Sequence, residues 1–187
     1  MNTPARHVAF LRAINVGGRS VLRMTDLRDA FTAAGCANAT TFIASGNVIF
    51  DASPEDLDVV RSCVARKVRA LLGAEPVVIY RTAAEIAALV DAAPFGALTK
   101  DSRLKLYVAF AAAAPTLEPA FPLRLPKEAL EAIAIEKNDV LIVSRRKPNG
   151  MFGFPNNWIE RALGVTATAR NWSTVTKIAA LLQNTGR

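Results

Sequence analysis

Thr40-Thr41-Phe42-Ile43-Ala44-Ser45-Gly46-Asn47-Val48-Ile49-Phe50-Asp51-Ala52-Ser53-Pro54-Glu55-Asp56 is the stretch whose reading decides the fold. Residues 40–43 and 47–50 are β-prone runs, and Ala44-Ser45-Gly46 breaks them. A glycine inside a strand pattern predicts a bulge or a close backbone approach. Ser53-Pro54-Glu55-Asp56 then reads as a helix start, with Ser at the N-cap, Pro at N1 and an acid at N3. Leu57, Val60, Val64, Val68, Leu71 and Leu72 make one apolar stripe, and Gly73 ends the helix.

The same alternation extends outward in both directions. Residues 8–14 read as a strand running into Gly17-Gly18. A helix follows from Thr25 as N-cap, with Asp26 and Asp29 in its first turns and Leu27, Ala30, Phe31 and Ala34 at helical spacing up to Gly35. Downstream, residues 76–81 read as a strand. Thr82-Ala83-Ala84-Glu85 is a capping box opening a short helix through Ile86, Leu89 and Val90, which Pro94 closes. The order is β-α-β-α-β with a terminal helix, the middle strand being the interrupted one. Residues 94–103 read as a linker.

Beyond it, residues 104–111 form a strand and the Pro-rich stretch 115–126 a loop with at most one helical turn. Residues 132–136 and 140–144 pair about Lys137-Asn138-Asp139 as a hairpin. Residues 145–154 are a basic loop, 155–163 a helix ended by Gly164. Asn171 caps a last helix with Trp172, Val175, Ala179 and Leu182 on one face. An α+β chain results, divided into residues 1–97 and 98–187, with helices packed on antiparallel or mixed sheets.

Composition narrows the class. Of the 187 residues, 51% are hydrophobic, enough for a packed core and against disorder. No apolar run approaches the ~20 residues that cross a bilayer. Residues 1–11 lack the h-region and cleavage site of a signal peptide, so a cytoplasmic protein without membrane attachment is expected. Cys36 and Cys63 are far apart among apolar neighbours and read as buried thiols, not as a disulfide or metal pair. The net charge of +7 is uneven: residues 1–97 hold ten Lys/Arg against nine Asp/Glu, and residues 98–187 thirteen against seven. A basic C-terminal half suits a polyanionic or phosphorylated partner, with solubility as the plainer explanation.

Three stretches carry a resemblance: Phe10-Leu11-Arg12-Ala13-Ile14-Asn15-Val16-Gly17-Gly18, Ile43-Ala44-Ser45-Gly46-Asn47-Val48-Ile49-Phe50, and Leu163-Gly164-Val165-Thr166-Ala167-Thr168-Ala169-Arg170-Asn171-Trp172-Ser173-Thr174-Val175. In this order they resemble the bacterial domain-of-unknown-function family 1697 over nearly the whole chain. The resemblance implies a cytoplasmic α+β protein of two ferredoxin-like (split β-α-β) sub-domains, and no activity, substrate or catalytic residue. Residues 145–154 are more basic than the aromatic, glycine-containing turn it leads one to expect.

The same stretches supply the candidate site. If strand 8–14 alternates to its end, Val8, Phe10, Arg12 and Ile14 share a face, and a charge among apolar groups must be paired, solvated or functional. Gly17 and Gly18 allow positive φ and bare backbone N–H groups, which with Arg12 and Asn15 suit an anion. Against this, the segment matches neither phosphate-loop pattern, and Asp26 opens the next helix. A tight turn plus an ion pair is the alternative.

Ser45 and Asn47 offer a hydroxyl and an amide, or simply hold a bulge. Arg170, Asn171 and Thr174 stand at a helix N-terminus without an acid in its first turn, or cap a helix that Trp172 anchors. Arg145, Arg146, Lys147, Phe152 and Phe154 form a basic-aromatic loop, without the aromatic octapeptide of RNA-recognition motifs. Alternatively it is a solvated mobile loop. Catalytic signatures are weak: one histidine, His7, no metal-ligand spacing and no nucleophile elbow.

The leading expectation is a protein binding an anionic, phosphate-bearing small molecule or nucleic acid through Arg12, Asn15, Gly17, Gly18, Ser45, Asn47, Arg170, Asn171 and Thr174, with no cofactor implied. The alternatives are an enzyme of unknown reaction on a phosphorylated small molecule and a protein-interaction module.

Overall fold

A computed structural model of the chain describes residues 4–14 and 22–183. The chain forms two compact units, Met1–Ile86 with Ala180–Arg187 and Ala87–Ala179. The division falls inside a helix, about ten residues before the boundary expected from the linker composition at 97/98.

In the first unit the order is β1 Ala5–Leu11, α1 Met24–Thr32, β2 Ala37–Phe42, β3 Asn47–Ala52, α2 Leu57–Leu72 and β4 Val78–Thr82, leading into α3 Ala83–Asp91. The four strands form one antiparallel sheet ordered β2-β3-β1-β4. The interrupted middle strand is therefore a hairpin and not a bulged single strand. Its turn, residues 43–46, needs left-handed backbone at Ile43 (φ 52°) and at Gly46 (φ 74°), and two such residues reverse the chain. A register irregularity does occur, but earlier, between Ala37 and Thr40.

Local chemistry shifts two helix starts. Ser53 and Asp56 do bond reciprocally, Ser53 Oγ donating to Asp56 Oδ2 at 2.7 Å and the Asp56 N–H to Ser53 Oγ at 3.3 Å. They close a turn ahead of α2, which begins at Leu57. Thr25 is not the cap of α1. Arg23 precedes Met24 and its Nε pairs with Asp26 at 2.9 Å across the first turn. The capping box of α3 forms as read. The Thr82 N–H and hydroxyl donate to Glu85 Oε2 at 2.7 and 2.9 Å, and the Glu85 N–H donates to Thr82 Oγ1 at 3.1 Å. Val60, Val64 and Val68 of α2, with Leu27, Ala30 and Phe31 of α1, are buried in one cluster with Ala9, Leu11, Val48 and Phe50 of the sheet. Leu71 falls off that stripe and is exposed.

The second unit comprises β5 Leu104–Ala111, β6 Leu123–Leu125, β7 Leu130–Glu136, β8 Asp139–Arg145, α4 Asn156–Leu163, β9 Ala167–Asn171 and the start of α5 Trp172–Gln183. Its antiparallel sheet is ordered β6-β7-β8-β5-β9. Counting only the four longer strands, both sheets run second-third-first-fourth. In each unit a helix joins the third strand to the fourth and another follows the fourth. The first unit has the element order β-α-β-β-α-β. The second has no helix between its first two long strands, where the edge strand β6 and a 3-10 turn at Pro126–Glu128 stand instead. All pairings of named strands are antiparallel. The residues predicted as linker hold a 3-10 turn, Gly96–Lys100.

Strand β9 had no sequence signal. Ala-Thr-Ala-Arg-Asn has weak β propensity, and the strand exists because Ala167 to Asn171 pair with Ala111 to Tyr107 of β5. Small Ala167 and Ala169 let α4 approach, and Ile159 and Leu163 pack in the same cluster. Among the described residues no helix is long and apolar enough to cross a membrane.

Candidate functional site

Asn15, Gly17 and Gly18 lie outside the described residues. The remaining candidates divide between the two units: Arg12, Ser45 and Asn47 in the first, Arg170, Asn171 and Thr174 in the second.

In the first unit, two stretches far apart in sequence meet. The Leu11 N–H donates to the Gly46 carbonyl at 2.8 Å, so the 43–46 turn borders the end of β1. The strand stops at Leu11, the Arg12 N–H donates to Val77 O at 2.9 Å, and Ala13 turns to φ 55°. Positive φ at Ala13 breaks the alternation, so Ile14 joins the Ala9–Leu11 side of the core and does not share a face with Phe10. Arg12 is half-buried. Asn47 is fully buried, its amide donating to Phe42 O at 2.9 Å and to Ser45 Oγ at 3.0 Å. These bonds tie the two ends of the turn together, the work of a turn clamp.

In the second unit, Arg170 sits on β9 and is 7% exposed. Its Nη1 donates to Thr168 Oγ1 at 2.8 Å and to Ala169 O at 3.0 Å. Burial pulls its guanidinium down to about 10, still charged at neutral pH. Asn171 ends β9, is exposed, and directly precedes Trp172, whose ring meets Phe95 at 5.1 Å between centroids. Thr174 is half-buried in the first turn of α5.

A second constellation, entirely within the second unit, was only half legible. The register of β5 and β8 sets Leu104 opposite Arg145 and Lys105 opposite Ser144. That brings Arg103 and Lys105 beside Arg145, Arg146 and the loop that follows. Asp101, Ser102, Arg103, Leu104, Arg145 and Arg146 line a surface cleft of about 520 Å³. Lys105 Nζ lies 4.8 Å and the Arg146 guanidinium carbon 5.6 Å from the centroid of Phe152, within cation–π range. Phe154 meets Tyr107 edge-on at 5.7 Å, yet remains 58% exposed.

The loop is built, not loose: the Lys147 N–H donates to Met151 O at 2.8 Å, Arg146 bridges Phe152, and buried Ser144 donates to Gly153 O at 3.2 Å. Gly153 is required, because a Cβ there would meet the Glu128 carbonyl.

Carboxylates offset part of this charge. Asp101 binds Arg103 through two oxygens, and these hydrogen bonds hold its carboxyl down at about 2. Glu131 takes Arg124 at 2.8 Å and Arg145 at 3.3 Å, and the hydrogen bond from Arg124 lowers its pKa. Glu128 takes Lys147 at 2.9 Å. Lys105 and Arg146 face a ring and, among the described residues, no carboxylate. The signal that could have found Arg103 and Lys105 is a pair of cations two residues apart at the start of an otherwise apolar strand. Among the described residues no group of three or more His, Cys, Asp or Glu could hold a metal ion.

A family model described as a protein of unknown function, DUF1697, matches residues 5–141. No curated protein matches the chain. Among solved structures, the conserved bacterial protein SP0830 from Streptococcus pneumoniae is similar, with a TM-score of 0.64 at 18% identity, over 97% of this chain and all of that one. At that identity the likeness speaks for the fold alone.

Proposed function

We propose that this chain, which belongs to the DUF1697 family of proteins of unknown function, binds a phosphate-bearing anion on the basic surface of its second unit where the cleft lined by Arg103, Arg145 and Arg146 adjoins Lys105 and Phe152. The observation that carries the reading is the pair Lys105 and Arg146, exposed and held over Phe152 without a carboxylate partner among the described residues. At this end of the second sheet Arg103, Lys105, Arg124, Arg145, Arg146 and Lys147 outnumber Asp101, Glu128 and Glu131 by three, with Lys105 and Arg146 on one face and Arg124, Arg145 and Glu131 on the other. Such a surface attracts polyanions and holds them in a salt-dependent way. Binding is favoured over catalysis, since the one carboxylate of the cleft is pinned ionised by Arg103 and the lining offers no histidine or cysteine.

The test is titration calorimetry with inorganic polyphosphate against the wild type, a Lys105→Ala/Arg146→Ala variant and an Arg12→Ala/Arg170→Ala variant. Heat lost in the first variant and kept in the second supports this cleft. Loss only in the second moves the site to the β1 end or the β9–α5 junction. No heat with the wild type at low salt sinks the reading.

A further inference from the structure

Resting on that reading, we infer that the ligand of this face is single-stranded nucleic acid. A compact phosphate group calls for donors that converge. Here the cations are strung out instead. Arg103 in the turn before β5, Lys105 on β5, and Arg146 just past β8, which shares the Lys105 face because Lys105 stands opposite Ser144, form the row. A row of this kind tracks a repeating charge.

Beside the row stands an aromatic ring that the core does not use. Phe154 is held by Tyr107 in a T-shaped contact, which limits its motion, and keeps more than half its surface in solvent. A positively charged track flanked by an exposed ring is the equipment for an unpaired strand, whose phosphates take the track while a base stacks on the ring. Duplex bases are already stacked on each other and leave the ring without a partner. An anionic lipid surface would also meet the charge, but only Met151 and Phe154 of this loop expose large apolar side chains, few for insertion.

The experiment is fluorescence anisotropy of the full chain with a labelled single strand of about 12 nucleotides. Duplex of the same sequence, inorganic polyphosphate and phosphatidylserine vesicles serve as competitors. Lys105→Ala and Phe154→Ala are compared with wild type, their melting midpoints checked first. Single strand is expected to bind more tightly than duplex. Phe154→Ala should weaken it ~5-fold or more while leaving polyphosphate competition unchanged. Lys105→Ala should weaken both and reduce the salt slope by about 0.7. If single strand and polyphosphate bind alike and Phe154→Ala alters neither, the nucleic-acid inference falls and the anion reading stands. Vesicles competing where duplex and polyphosphate do not would replace nucleic acid by a membrane surface. Absence of binding to every polyanion overturns both.

Discussion

The imidazole of His7 lies stacked on the ring of Phe50, its partner across β1 and β3, with centroids 5.4 Å and planes 24° apart. His7 is 3% exposed and its Nε2 has no hydrogen-bond partner. Burial lowers its pKa, with Arg61 acting in the same direction, while a hydrogen bond with the Ala52 backbone and the charges of Asp51 and Glu85 oppose. The folded chain therefore holds this ring neutral where the unfolded chain would protonate it. Above the ordinary value near 6.5 the two states bind the same number of protons and stability does not change with pH on account of this group. As pH falls below 6.5 the unfolded state takes up a proton that the folded state refuses, and stability is lost until the lowered folded pKa is reached. The melting midpoint should fall between pH 7 and 5 in the wild type and fall less in His7→Phe. An NMR titration of the His7 ring with a midpoint at or above 6.5 would contradict this.

Among the described glycines of the first unit, Gly46 is the most closely approached. A Cβ there would stand 2.5 Å from Ile14 Cδ1 and 2.9 Å from Leu11 Cβ, at a φ of +74°. Left-handed backbone costs roughly 1–2 kcal/mol for a side-chain-bearing residue, and overpacking about 1–3 kcal/mol more. Gly46→Ala should lower unfolding free energy by the sum, read from urea denaturation. Gly35→Ala is the control, with φ +94° but nothing within 4 Å of its Cβ. It should show the backbone part alone, and equal losses in the two would remove the packing term.

Asn47 separates a structural role from a ligand role. Asn47→Ala removes the amide's hydrogen bonds to Phe42 O and Ser45 Oγ across the part-buried turn, a loss of about 1–3 kcal/mol. Polyphosphate affinity should be unchanged after correction for the folded fraction. A variant that keeps its stability but loses affinity would return Asn47 to the binding site.

What could be read from the sequence was what neighbours in the chain decide. The Thr82–Glu85 capping box, strand 104–111, the hairpin about Lys137-Asn138-Asp139 and the valine stripe of α2 all depend on spacings of a few residues. What escaped depends on distant partners. Nothing local in residues 167–171 makes a strand; β5 does. Asn47 reads as polar and available until the turn folds around it, and Arg170 as a helix-end cation until β9 buries it. The loop cations and rings at 145–154 were visible, but their union with Arg103 and Lys105 rests on the register of β5 against β8, which no local pattern states.

Glu85 offers a measure of one cap. Its carboxylate receives both the Thr82 N–H and the Thr82 hydroxyl. Glu85→Ala should destabilise by about 1 kcal/mol, and Thr82→Ala by a similar amount, since either change breaks the reciprocal pair. The double variant should cost little more than either single one, because both remove the same interaction. Full additivity in thermal unfolding would mean that the two residues act separately.

Ser144 tests whether the loop must be held in place for binding. It is fully buried on β8, opposite Lys105, and its hydroxyl ties down the Gly153 carbonyl between Phe152 and Phe154. Ser144→Ala removes that bond, worth about 1 kcal/mol, without changing any charge. If the rings and cations act as a set, polyanion affinity should drop severalfold while the slope of affinity against salt stays the same, because the cations are all still present. A lower slope would mean that the loop's cations have moved away from the ligand. Unchanged affinity beside a lowered melting midpoint would show that the track binds without the loop's fixed geometry, leaving Arg103 and, on β5, Lys105 as its working part.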